Sequence, residues 1–260
     1  MPRVARPFQP GGTDPDSARI VYGVGDVHGM DHLLDTLLAM IETDARMAGM
    51  AATVVFLGDV VNRGARSRQV LDRLRTGPSR PGDEWIVLRG NHEQAMLDAL
   101  TGDSEALFDR WLRIGGMETL ESYGGTHKHA RPDRARDLIG PDPVRFLASL
   151  PLTYISGQHL FVHAGVEPGV PLHRQDPAKL MTIRGRFLRK HHGLPYTVVH
   201  GHTPTAGRPR FGPGRIGVDT GAYVTGILTA VAVGADPESP RFLRAVEPSR
   251  SAKRRLLVDA

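Results

Sequence analysis

Early in the chain an apolar, β-branched run breaks at a glycine followed by Asp or Asn and passes at once into a segment with a helical apolar stripe, and the sequence does this three times over. Residues 19–24 read as a strand ending in Gly25-Asp26-Val27-His28-Gly29. Leu33, Leu34, Leu37, Leu38 and Ile41 then recur at helical spacing on a segment that runs to about Arg46. A strand over 53–57 meets the turn Gly58-Asp59 and a helix over 67–75. A strand over 85–88 meets Gly90-Asn91 and a helix over 93–100. Alternation of this kind specifies βαβ units and parallel strands. Asp26, Asp59 and Asn91 follow one another at intervals of roughly 30 residues, about one such unit. They therefore come to the same edge, outside the carboxyl ends of the strands, where open α/β sheets bind ligands.

Residues 104–146 read as helical, with a polar interruption rich in Gly and His over 124–132 and no strand signal, so a helical insert beside the active edge is expected. The second half changes character. Short β runs over 159–162, 196–199, 215–218 and 226–233 suggest a second, partly antiparallel sheet, interrupted by one helix over 177–189. There is no internal repeat, and the polar strand ends are divided between the two halves, which must share one core. The expectation is a single α/β domain over residues 1–260, with 1–17 and 248–260 flexible.

Composition narrows the function classes. The 260 residues are 40% hydrophobic and 23% charged, ordinary globular usage. No apolar run approaches the eighteen or so residues of a membrane span, and the first residues carry no signal-peptide core, so a cytoplasmic address and no membrane partner are expected. With no cysteine, any metal must be held by oxygen and imidazole nitrogen. The net charge of +5 favours anionic substrates. Much of that excess is peripheral, in Arg250, Lys253, Arg254 and Arg255, with no aromatic residues between as stacking platforms, and it reads as a solvated basic tail in preference to a nucleic-acid footprint.

An Asp-x-His pair such as Asp26 and His28 is a weak signal alone. Asp59, Asn91, His92, His163 and His202 change its weight, because each follows a strand with glycine close by. Hard oxygen donors with imidazoles and no sulfur suit Mn, Fe or Zn. One carboxylate shared between two ions about 3.5–4 Å apart makes a two-metal hydrolase centre.

Gly25-Asp26-Val27-His28-Gly29, Gly58-Asp59-Val60-Val61-Asn62-Arg63-Gly64, Arg89-Gly90-Asn91-His92-Glu93, His163-Ala164-Gly165 and Gly201-His202-Thr203 resemble, in order, the motifs of the calcineurin-like metallophosphoesterases. Within them the chain is most similar to the bacterial and bacteriophage serine/threonine phosphoprotein phosphatases, over about residues 20–233. The resemblance implies an αβ-βα sandwich, two mixed sheets face to face and flanked by helices. It implies two divalent metal ions, Mn²⁺ with Fe or Zn as alternatives: Asp26 and His28 on the first, Asp59 bridging, and Asn91, His163 and His202 on the second. His200 competes with His202, but the family's ligand stands between Gly and Thr. It implies in-line attack on phosphorus by a metal-bound hydroxide, with His92 as the general acid that protonates the leaving group. Arg63 and Arg184 match the guanidinium positions that grip phosphate oxygens, although Ile183-Arg184-Gly185-Arg186 offers two arginines. His127, His129, His191 and His192 are expected in exposed loops.

One position departs from the family. Where the protein phosphatases carry Asp in Gly-Asp-x-x-Asp-Arg-Gly, this chain has Asn62, whose amide orients His92 without supplying negative charge. The symmetrical dinucleoside-tetraphosphate hydrolases also lack the acid there, but their next motif ends in Asp where this chain has Glu93. The resemblance thus implies a phosphomonoesterase acting on phosphoserine or phosphothreonine in proteins or on small phosphoesters, with a dinucleoside-polyphosphate hydrolase as the alternative. A third alternative is a metal-binding regulatory module that has lost turnover through Asn62. A nuclease has less support, because Pro204 stands where those relatives carry a second histidine.

Overall fold

The computed structural model describes residues 19–234 and 240–247. The terminal segments expected to be flexible, and the basic residues from Arg250 to Arg255, lie outside them. Strands β1 (Arg19–Val24), β2 (Ala51–Phe56) and β3 (Glu84–Val87) run parallel and alternate with helices α1 (Asp31–Met47), α2 (Ser67–Thr76) and α3 (Asn91–Thr101). Helices α4 (Glu105–Trp111), α5 (Met117–Ser122), α6 (Pro132–Ile139) and α7 (Pro141–Ser149) follow, with a π turn at Leu112–Gly116 and a short 3-10 turn at His127–His129 inside the interruption read from the sequence.

The remaining strands are β4 (Thr153–Ser156), β5 (His159–Val162), β6 (Thr197–His200), β7 (Arg210–Gly212), β8 (Arg215–Gly217), β9 (Ile227–Val233) and β10 (Arg241–Val246). The first sheet has the order β10-β9-β1-β2-β3, the second β4-β5-β6-β8-β7, and each mixes parallel and antiparallel pairs. This corrects the expectation for residues 226–233: β9 pairs with β1, Val24 opposite Ala230, and so belongs to the first sheet.

Alternation along the strands builds the layers. In β1, Ile20, Tyr22 and Val24 face the helices together with Ala52, Val54 and Phe56 of β2, while Val21 and Val55 face inward. The inner layer draws on both sheets: Val21, Val55 and Val231 from the first meet Phe161, Val199 and Ile216 from the second. On the far side, Leu160, Val162 and Val198 pack beneath Leu180 of α8 (Pro177–Thr182) and Phe187 of α9 (Gly185–Arg189). Strands buried on both faces read as continuous apolar runs, which is how they look in the sequence. The sheets approach closely at Gly23, where a Cβ would lie 2.9 Å from Val199 Cγ1.

The helix expected over 177–189 is two helices. Asp176 caps the first by accepting from the Ala178 N–H, and the chain leaves helical geometry at Ile183 and Arg184, whose φ and ψ are −133° and −102°. The break turns Arg184 toward the strand ends.

Candidate metal centre

The carboxyl ends of β1, β2, β3, β5 and β6 meet at one edge, and the loops leaving them are stitched together by backbone hydrogen bonds. His28 N–H donates to the Asp59 carbonyl (2.9 Å), Gly29 N–H to that of Val60 (3.0 Å) and Gly201 N–H to that of His163 (2.8 Å). Glu93, fully buried, clamps the loops after β2 and β3: its carboxylate accepts from the N–H groups of Asp59 (2.7 Å), Val60 (2.8 Å), Val61 (3.3 Å) and Gly90 (2.8 Å). Among the described residues the non-glycine residues with positive φ are His28, Asp59, Asn62, Arg63 and His202, and all five stand at this edge. Left-handed backbone at non-glycine residues costs free energy and persists where surrounding contacts over-determine it.

Asp59 lies at the middle of the cluster. Its Oδ1 is 3.4 Å from His163 Nε2, and its Oδ2 is 3.8 Å from His28 Nε2 and 3.9 Å from His92 Nε2. Two triads, His28–Asp59–His92 and Asp59–His163–His202, each bring their ligand atoms within 4.8 Å of one another, and they share Asp59. Asn91 Oδ1 lies 3.1 Å from His163 Nε2, which is 3.2 Å from His202 Nδ1. Asp26 stands beside them with its carboxylate accepting the His202 N–H at 3.1 Å. Among the residues that the sequence places at the site, all six ligand candidates and His92 converge.

The donor set fits divalent metal. His28 Nδ1 lies 2.9 Å from the Val61 carbonyl and His163 Nδ1 2.8 Å from that of Leu57, and each arrangement turns Nε2 to the interior. Burial pushes His28 and His202 each down to about 3, so both rings keep a lone pair for a cation. Burial alone would lower His163 as well, but the Asp59 carboxylate outweighs it and drives His163 up to about 10; a bound cation would compete there with a proton. Asp59 itself is held well below the usual carboxylate range, since the histidines around it outweigh its burial. Asp26 is pushed up by burial and by the neighbouring Asp219.

Arg63 reaches both histidines of the first triad: its Nη1 is 3.2 Å from His28 Nε2 and its Nη2 3.1 Å from His92 Nε2, with the Tyr223 ring 4.5 Å from the guanidinium. Arg184 Nε donates to His202 Nε2 at 2.9 Å, whereas Arg186 pairs with Glu167 at 2.7 Å. Of the two arginines offered by the sequence, Arg184 is therefore the one at the site. His200 binds its neighbouring Gly201 carbonyl and packs on Phe187, outside both triads. His192 corrects an expectation. It is buried, its Nε2 lies 2.9 Å from the Gly214 carbonyl, and its ring stacks on the exposed His191.

Sequence reasoning missed Asp219, Trp111 and Thr119. Asp219 is buried just past β8, and burial pushes it up to about 6 although it accepts the Gly221 N–H at 2.9 Å. Its signal was present: Gly217-Val218-Asp219-Thr220-Gly221 repeats the strand, Asp and glycine pattern of the earlier turns. Trp111 and Thr119 both bind the Asn62 side chain, and nothing in their local sequence marks them.

A catalytic edge of buried histidines and carboxylates on a double-sheet α/β frame defines a metallophosphoesterase. The family model for calcineurin-like phosphoesterases matches residues 21–226, and the chain belongs to that family, whose members use a dinuclear divalent metal centre. Serine/threonine-protein phosphatase 1 of Salmonella typhimurium is 28% identical over 216 residues, 81% of this chain and 90% of the relative. The symmetrical bis(5'-nucleosyl)-tetraphosphatases of Janthinobacterium sp. and Bordetella pertussis are each 29% identical, over 56% and 64% of this chain. The chain spans about half the length of those two relatives, 44% and 48%. A solved serine/threonine phosphatase from Saccharomyces cerevisiae shares the fold, with a TM-score of 0.54 at 16% identity over 90% of this chain and 82% of its own. Among the described residues no helix is long and apolar enough to cross a membrane.

Proposed function

We propose that the chain hydrolyses phosphate monoesters, phosphoserine and phosphothreonine in proteins among them, at a site where Asp26, His28, Asp59, Asn91, His163 and His202 hold two divalent cations. The observation that carries this reading is the pair of triads sharing Asp59. When bound, the cations, Mn²⁺ with Fe or Zn as alternatives, supply Lewis-acid activation of water and of the phosphoryl group. Arg63 and Arg184 flank the triads on opposite sides and grip the phosphoryl oxygens with planar, fixed donors. His92, oriented through Nδ1 by Asn62, presents Nε2 on the leaving-group side.

A second reading, symmetrical cleavage of dinucleoside polyphosphates, is favoured by Asn62: a nucleotide leaving group needs less protonation than an alkoxide. Product analysis separates the two. Inorganic phosphate from a phosphopeptide supports the first, and ADP from diadenosine tetraphosphate supports the second. Hydrolysis of neither, nor of p-nitrophenyl phosphate with Mn²⁺, would leave the regulatory module as the reading.

A further inference from the structure

Asn62 is fully buried and its amide has no freedom to turn. Its Oδ1 lies 3.0 Å from Trp111 Nε1 and 2.8 Å from Thr119 Oγ1. An indole N–H can only donate, so the end of the amide that faces Trp111 is the oxygen. The other end, Nδ2, faces His92 Nδ1 at 2.9 Å, and an amide nitrogen also only donates. His92 Nδ1 is therefore the acceptor. A neutral imidazole that spends its Nδ1 lone pair in this way carries its hydrogen on Nε2. An aspartate at position 62 would accept from the ring and place the hydrogen on Nδ1.

On its other side His92 Nε2 faces Arg63 Nη2 at 3.1 Å, again a donor. A neutral ring has one lone pair to offer and cannot satisfy both. Asn62 is the fixed partner, since its amide oxygen is held by Trp111 and Thr119 and its backbone N–H donates to Ser67 Oγ (3.0 Å) and Thr119 Oγ1 (3.1 Å). Arg63 is half-buried, on a longer side chain, with the Tyr223 ring to rest on. Arg63 is the group that gives way.

We propose that Trp111 is a positioning residue: it locks the Asn62 amide, which holds His92 as the Nε2–H tautomer, so that His92 offers the substrate a hydrogen bond through Nε2 in place of a transferred proton. This rests on the reading that places His92 on the leaving-group side, and it names the substrate class. Water oxygen bonds to phosphorus as the ester P–O bond breaks, the leaving oxygen keeps the bonding pair, and the proton released by water passes to solvent. Phosphoesters whose leaving group departs as a stable anion, aryl and nucleotidyl phosphates, are favoured over alkyl phosphates.

Long-range proton–nitrogen NMR on ¹⁵N-histidine-labelled, Zn²⁺-loaded protein reads the tautomer directly. Wild-type His92 is expected with its hydrogen on Nε2, Asn62→Asp with it on Nδ1, and Trp111→Phe as a mixture, because the amide is then free to flip. In kinetics, the ratio of kcat/KM for p-nitrophenyl phosphate to that for phosphoserine should fall in Asn62→Asp by roughly 10²-fold, the lower end of what general-acid catalysis supplies. A wild-type ring with its hydrogen on Nδ1, or a tautomer that neither substitution moves, overturns the proposal. Should Trp111→Phe fail to fold, the wild-type tautomer and its inversion in Asn62→Asp remain decisive. Failure of the phosphoesterase reading looks different: no ester is hydrolysed while the tautomer stands as described.

Discussion

The carboxylate of Asp59 stands 3.4 Å from His163 Nε2 through one oxygen and turns its other oxygen toward His28, so a single side chain belongs to both halves of the cluster. Asp59→Asn should therefore remove both metal content and turnover. The loss should exceed the about 10–100-fold that outer-shell substitutions cost. Metal analysis of the purified variant, with p-nitrophenyl phosphate hydrolysis alongside, checks this, and full activity in the variant would contradict a shared ligand.

Arg184 and Arg186 are two residues apart but sit in different surroundings, the first on His202 and the second on Glu167. Arg184→Ala and Arg63→Ala should each lower kcat/KM by about 10–100-fold, the equivalent of one hydrogen bond to a charged group, with metal stoichiometry intact. Arg186→Ala should leave kcat/KM unchanged. Equal losses from Arg184→Ala and Arg186→Ala would mean that the damage is structural.

Asp44 on α1 ties the central strand of the first sheet to its edge strand: it accepts from the Tyr22 hydroxyl of β1 at 2.7 Å and from both Nη atoms of Arg241 of β10. Burial would raise Asp44, but the hydrogen bonds from Arg241 and Tyr22 outweigh it and hold the carboxyl below its usual range. A depressed carboxyl stabilises the fold above its unfolded pKa of about 3.9, and that contribution disappears as pH falls through the folded value. Asp44→Asn should cost about 1 kcal/mol at neutral pH, allowing for solvent at Arg241, or about 2–4 °C in Tm. The difference from wild type should vanish in acid. Thermal melts from pH 7 down to pH 2 measure it, and a constant difference across that range would rule out the linkage.

Gly201 leaves no room for a side chain, since a Cβ there would lie 2.1 Å from Asp26 Oδ1. Gly201→Ala should push the Asp26 carboxylate off the His202 amide and weaken metal retention more than it lowers Tm. Metal titration and melting of the same preparation give both numbers, and unaltered metal affinity would show that Asp26 is not a ligand.

The site was more legible in the sequence than the frame around it, for a physical reason. A buried strand that stops at Gly-Asp leaves a sharp local signature, so Asp26, Asp59 and Asn91 could be found and ordered without knowing their neighbours. Strand pairing leaves no such trace: nothing within residues 226–233 tells that β9 lies beside β1, and β10, with Arg241 and Arg244 among its apolar residues, does not read as a strand. The three-residue β7 is too short to show a period. Trp111 and Thr119 were invisible because their task is set by Asn62, 49 and 57 residues away. Asp219 could have been found, because it repeats a pattern already recognised at two other strand ends.

The cluster also straddles a seam. Asp26, His28, Asp59 and Asn91 hang from the first sheet, while His163 and His202 hang from the second. Any cation gripped from both sides acts as a rivet through the sandwich, and by mass action its binding free energy is added to that of folding. At a free concentration 100 times its Kd, one such ion contributes about 2.7 kcal/mol. Melting temperature should therefore climb with added Mn²⁺ even in His92→Ala, where turnover is damaged, so the supply of the ion would set how long the protein lasts as well as how fast it works.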